Sequence, residues 1–148
     1  MEYPPIQILE VRVADSVQSV TITLALGAHA SQAILTALSE QLDRRRSIAV
    51  NTVDEALALR DQFALVERFE PLAAADAHAV VSLTDADLRT CLLELTAYAD
   101  RVDGEHFQPV ELRARLEVIA EITPVLWDAN AAAASAALTL TEAAPSSF

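Results

Sequence analysis

Lysine is missing from this chain, glycine occurs only at Gly27 and Gly104, and Cys91 is the single cysteine. Each shortage closes off a class of chemistry. Two isolated glycines leave no P-loop, no GxGxxG turn and no GxSxG nucleophile elbow, because each of those motifs needs closely spaced residues free of a Cβ. One cysteine makes no intrachain disulfide and no CxxC metal knuckle. His29, His78 and His106 stand far apart, with no HxH or HExxH spacing. Asp100, Asp103, Gly104 and Glu105 lack the alternating acids and the twelfth-position glutamate of a calcium loop. No catalytic, cofactor-binding or metal-ligating residue is therefore assigned, and the chain reads as leaning away from an enzyme.

Aromatics are scarce as well: four phenylalanines, two tyrosines and one tryptophan. They do not interleave with arginines as a base-stacking platform requires. No stretch approaches the ~18 uninterrupted apolar residues of a membrane span. The opening MEYPPIQ has no cationic segment followed by an apolar one. These features lead us to expect no membrane partner and a cytoplasmic location, or one within a virus particle or other large assembly.

The charge that is present is mostly negative. Ten arginines face 22 acids for a net charge of −12, a field that repels phosphate backbones and draws basic proteins. Nucleic-acid binding is not expected. Arg44-Arg45-Arg46 is the only basic cluster, and as the end of a helix it complements the macrodipole without any ligand. It is read as a solvated helix end.

The hydrophobic fraction is 53%, much of it alanine, which favours helix and close helix approach while burying little area per residue. The length suits one domain, residues 1–148, with 141–148 as a tail. Its fold class is α+β and helix-rich, with an N-terminal antiparallel β-hairpin and a possible third short strand packed on four to five helices. The hairpin is drawn from Ile6–Val13 and Ser19–Leu26. Val20, Ile22, Leu24 and Leu26 alternate cleanly in the second strand, whereas the first strand's alternation slips partway along. Ala79–Leu83 is the possible third strand.

The first helix takes Ser31 as its cap and buries Ile34, Leu35, Leu38 and Leu42. Thr52 and Glu55 form a capping-box pattern for a second helix ending at Glu70, before Pro71. Leu59, Phe63 and Val66, with Leu57 and Phe69, supply its apolar side. Thr84 caps the central helix, whose Leu88, Cys91, Leu92, Leu95, Ala99 and Val102 recur at helical spacing. Cys91 is accordingly a core residue. Pro109 opens a helix carrying Leu112, Leu116, Ile119 and Ile122, which should pair antiparallel with the central one. Thr123-Pro124 repeats the start signal for a separate, alanine-rich last helix.

That last helix directs the functional expectation. With alanine on nearly every face it is short of core of its own, so Trp127, Leu138 and Leu140 are named as interaction residues. Removing residues 124–148 is expected to leave the rest folded. The chain is expected to be a non-enzymatic interaction or assembly protein that self-associates or holds a protein partner. The alternatives are an acidic inhibitor, antitoxin or dedicated chaperone for a basic protein, and then an enzyme or small-molecule binder with an unrecognised site.

Overall fold

The computed structural model describes residues 6–14, 19–46, 50–74, 78–103 and 109–143. Three strands and four helices follow in the order β1 (Ile6–Ala14), β2 (Ser19–Leu26), α1 (Ala28–Arg46), α2 (Val53–Ala74), β3 (Ala79–Thr84), α3 (Asp85–Asp103) and α4 (Val110–Ala143). The expected α+β architecture is observed. The antiparallel sheet has the order β1-β2-β3, so the hairpin's second strand is central and the short third strand closes one edge.

The slip in β1's alternation has a structural cause. Ile8 pairs with Leu24 but Glu10, not Leu9, pairs with Thr23, so Leu9 is an extra residue in a β-bulge. A one-residue insertion flips every later side chain to the other face. Ile6 and Ile8 face the core before the bulge and Val11 and Val13 after it, while Leu9 is exposed. Val20, Ile22, Leu24 and Leu26 of β2 and Val81 and Leu83 of β3 complete that face. The opposite face carries threonines and charged groups beside the exposed apolar Leu9 and Val80, with Thr23 Oγ1 hydrogen-bonded to Ser82 Oγ across the strands at 3.0 Å.

Helices cover the apolar face. α4 lies against β1 and β2, α3 against β2 and β3, and α1 packs on both of these helices and on α2. Thr84 caps α3 as expected: its Oγ1 accepts the Asp87 N–H at 3.1 Å. Thr52 does the same for α2, accepting from Glu55 N at 3.1 Å, while the Glu55 carboxylate reaches back to Asn51 N and not to the cap residue itself. Leu88, Leu92, Leu95 and Ile119 are buried in one core with Leu112 and Leu116 packed at its margin. α1 begins three residues before Ser31, whose N–H bonds to the Gly27 carbonyl at 3.0 Å, so Ser31 lies inside the helix and is buried.

Two prolines expected to end or start helices lie inside them. α2 continues to Ala74 through Pro71, and α4 runs for 34 residues through Pro124 and on to Ala143. A proline within a helix costs roughly 3 kcal/mol, through a lost backbone bond and a clash with the preceding turn. Burial outweighs this in α4. Ile119, Ile122, Leu126, Ala129 and Ala133 recur at alternating spacings of three and four, so one buried face runs straight past Pro124. The two large residues nearest it, Ile122 and Leu126, are each worth about 1.5–3 kcal/mol when buried. In α2 the disruption falls in the last turn, where Phe69 is buried and Leu72 packs on the core.

The apolar side of α2 is also rotated from expectation. Gln62, Leu65, Val66 and Phe69 are buried, whereas Leu57 and Phe63 are exposed. Positions 62, 65, 66 and 69 share one helical face, and Phe63 lies 100° away from Gln62. The continuous inner face of α4 also changes the view of its C-terminal half, since Leu126, Ala129 and Ala133 belong to the core. Deleting residues 124–148 would remove part of that core, so the deletion is no clean test of binding.

Two outcomes follow for stability, both read by chemical denaturation. Leu92→Ala, at a site with 0% exposure, is expected to cost ~2–5 kcal/mol. Pro124→Ala, at an exposed position, restores a backbone donor and is expected to raise stability by about 1–3 kcal/mol. A fall in stability on that substitution would show that α4 depends on its proline.

Candidate functional site

Among the described residues, two places gather several groups whose environment is incomplete. The first is the outer face of α4. Ala120, Pro124, Trp127, Ala131, Ala134 and Leu138 are all exposed, and their spacing of four, three, four, three and four is that of a heptad seam. They lie opposite the residues that face the core, so one helix presents an apolar stripe on each side. Trp127 is 47% exposed and Leu138 60% exposed. Between Glu121 and Glu142 the only charge is Asp128. A solvated helix face ordinarily carries charge on most turns. Of the residues named from sequence, Trp127 and Leu138 therefore lie together on this seam, while the Leu140 side chain is outside the described residues.

A groove opens beside the C-terminal part of the seam. Asp85 and Arg89 from α3 and Asn130, Ala134, Ala137 and Leu138 from α4 line a space of about 430 Å³. The wall on α4 is apolar. The wall on α3 is an i,i+4 ion pair, with Arg89 and Asp85 3.6 Å apart and both partly exposed.

The second place is the seam between α2 and α3. Arg45, the middle residue of the basic cluster, does not simply end α1 in solvent. Its guanidinium donates to Gln62 Oε1 on α2 and pairs with Glu94 Oε1 on α3, each at 2.5 Å. Glu94 is 2% exposed and Gln62 4% exposed, so a charge complement invisible at the level of a helix end ties three helices together. Because arginine only donates, the Gln62 oxygen is turned towards it. Among the described residues Gln62 Nε2 and Glu94 Oε2 have no hydrogen-bond partner. These residues line a cleft of about 300 Å³ together with Asp61, Asp87, Thr90 and Leu93. Chemically the pair offers an unpartnered amide donor and an unpartnered carboxylate acceptor, with the Asp61 and Asp87 carboxylates and the Thr90 hydroxyl lining the same cleft. Sequence pattern missed this cluster because its buried members are polar and come from three separate helices.

Arg68 fastens α2 at a further point. It bonds to the Ser82 carbonyl and to Asp87 Oδ2, the latter at 3.1 Å. Cys91 is buried, as expected. Burial, with Asp87 adding to the effect, pushes its thiol from 9.0 up to about 12. Among the described residues no group of three or more His, Cys, Asp or Glu is placed to hold a metal ion, and no helix is long and apolar enough to cross a membrane. His106 and the rest of the Gly104–Gln108 connection lie outside the described residues.

Arg45→Met should strand a buried carboxylate and cost about 3 kcal/mol in denaturant unfolding, at the lower end of the range for broken buried pairs because Arg45 is itself half exposed. Exchanging both partners, as in Arg45→Met with Glu94→Leu, should recover part of that loss, the remainder being the cost of the buried Gln62 amide left without Arg45. Cys91 should resist a disulfide-exchange reagent in the native protein at about pH 8 and react once on unfolding. Because its folded value is raised, the stability it contributes is intact below the unfolded value and lost as pH climbs from about 9 towards 12. That decline should shrink in Cys91→Ala. The chain matches no protein-family model, no curated protein and no solved structure, so its functional assignment rests on its own geometry.

Proposed function

We propose that this is a non-enzymatic interaction protein that works through the outer face of α4. The observation that carries the proposal is the exposed apolar seam from Ala120 to Leu138, in particular the half-exposed indole of Trp127 and the exposed Leu138. Single exposed apolar side chains are ordinary on protein surfaces. A continuous row of them at coiled-coil spacing, with one charge in twenty residues, supports the reading of a contact surface. Tryptophan supplies more contact area than any other side chain and dominates many interfaces from a central position.

The acidic charge argues for where a basic partner would not sit. Such a partner is held by carboxylates, and the seam has only Asp128. Its chemistry instead suits an apolar helix or surface of low charge. This favours an assembly role over capture of a basic protein as an inhibitor, antitoxin or chaperone.

Point substitutions on the outer face separate binding from folding, since the core depends on the opposite face. Trp127→Asp and Leu138→Asp should leave helical content and unfolding midpoint nearly unchanged, because surface changes alter stability by about 0.5 kcal/mol or less. Each should lower association at least tenfold, measured by sedimentation equilibrium. Equal association of wild type and both variants would remove the outer face of α4 as the functional surface.

A further inference from the structure

We infer that the cleft between α2 and α3 binds a small primary amine that carries a hydroxyl or carbonyl oxygen close to its ammonium group. This goes beyond the outer face of α4 and does not depend on it. The cleft exists because α2 packs along α1 but not along α3. Arg45 of α1 reaches between the two helices, bonding to Gln62 on one and Glu94 on the other. The space beside it, about 300 Å³, is lined by Asp61 and Gln62 from α2 and by Asp87, Thr90 and Glu94 from α3. That volume lies at the small end of the range for ligand sites.

Two buried groups in its walls have hydrogen-bonding capacity left over. Arg45 occupies Gln62 Oε1 and Glu94 Oε1, which leaves Gln62 Nε2 and Glu94 Oε2 without a partner among the described residues. Both residues are more than nine-tenths buried, where an unmade hydrogen bond is costly. Neither atom is itself exposed. The terminal torsions of glutamine and glutamate are broad, however, so a rotation there turns each atom towards a ligand.

The remaining lining groups decide the chemistry of that ligand. Thr90 Oγ1 donates to the Ala86 carbonyl at 3.1 Å, so towards the cleft it only accepts. Asp87 Oδ2 is held by Arg68, and Asp61 lies 3.6 Å from Arg60 in an exposed pair, yet each carboxylate keeps lone pairs beyond those contacts. Carboxylate and hydroxyl oxygens therefore predominate in the lining. An ammonium group, with three donors and no acceptor, matches them, and Glu94 Oε2 is its buried anchor. The Gln62 amide is a donor among these acceptors, so it requires an oxygen on the same ligand. Ala58, Leu65 and Leu93 add apolar surface for a short hydrocarbon body. An anion would meet the three carboxylates, whereas the net charge of −12 draws cations from a distance.

Titration of the full-length chain, followed by amide chemical shifts at constant pH and ionic strength, tests the site. The probes are leucinol, an amino alcohol, and leucinamide, which has the ammonium and carbonyl of a peptide N-terminus. At least one should bind saturably, with shifts concentrated at the lining residues of α2 and α3, and the tighter of the two tells a free amino alcohol from a peptide end. Isoamylamine, which lacks the oxygen, should bind about tenfold more weakly, and isohexanol, which lacks the amine, should not saturate. Glu94→Gln should weaken both amines about tenfold, and Asp61→Asn, at an exposed position, should weaken them about threefold with the fold unchanged. In Gln62→Met the advantage of leucinol over isoamylamine should vanish, an effect that loss of packing alone would not produce. Trp127→Asp should bind leucinol as the wild type does, so this site and the α4 face stand or fall separately. No saturable shift with either probe, equal binding of isohexanol, or amine binding indifferent to Glu94→Gln and Asp61→Asn overturns the inference.

Discussion

Close approach at alanine is the constraint on which the rest of this structure depends. α4 touches two strands and two helices along its inner face, and from Ala129 onward that face is built of methyl groups. Small side chains bring backbones together and recover dispersion contact where transfer area is small. The larger residues that profit from this are supplied by the other elements: Ile22 and Leu24 from β2, Leu88 and Leu92 from α3, Ile34 and Leu38 from α1. α4 thus acts as a thin wall that lets bulkier neighbours fill the core. The arrangement also accounts for a helix that passes through Pro124, because a break there would divide the wall.

The same composition has a second consequence on the outside. A wall of alanine leaves the solvent face of α4 with little polarity unless charged residues are placed on it, and beyond Glu121 the chain places only Asp128 before Glu142. Elsewhere the surface is strongly acidic, which sets a repulsive field around the molecule. An apolar, nearly uncharged stripe within that field is the surface we propose for association. The polar junction of Arg45, Gln62 and Glu94 works in another direction. It holds α2 against α1 and α3 through directional bonds, where the exposed Leu57 and Phe63 show that apolar burial along α2 is limited.

Much of the framework was readable from local pattern. Thr84 with Asp85 and Asp87 marks the start of α3, and clean alternation from Val20 to Leu26 marks a strand with one buried face. Even the slip in β1 was present in the sequence, although only the pairing of Glu10 with Thr23 reveals it as a bulge. Failures came where tertiary packing overrode a local rule. Proline is a sound stop signal until burial on both sides exceeds its cost, as at Pro124. Phe63 is a natural core residue until a buried Gln62 rotates the helix, and that glutamine is explained only by an arginine seventeen residues away. For the candidate site, Trp127 and Leu138 were legible through their contrast with the alanines around them. The groove beside them was not, because half of it comes from α3.

Trp127 is the only tryptophan, so its fluorescence reports on the proposed contact without labelling. Emission and acrylamide quenching should be followed while the protein is diluted through its association range. If the outer face of α4 is the association surface, the indole is shielded at high protein concentration, and dilution should shift its emission to longer wavelength and increase quenching, in step with the fall in sedimentation mass. An emission spectrum and quenching constant that remain those of a half-exposed indole while the mass changes would place the association surface elsewhere and contradict the account.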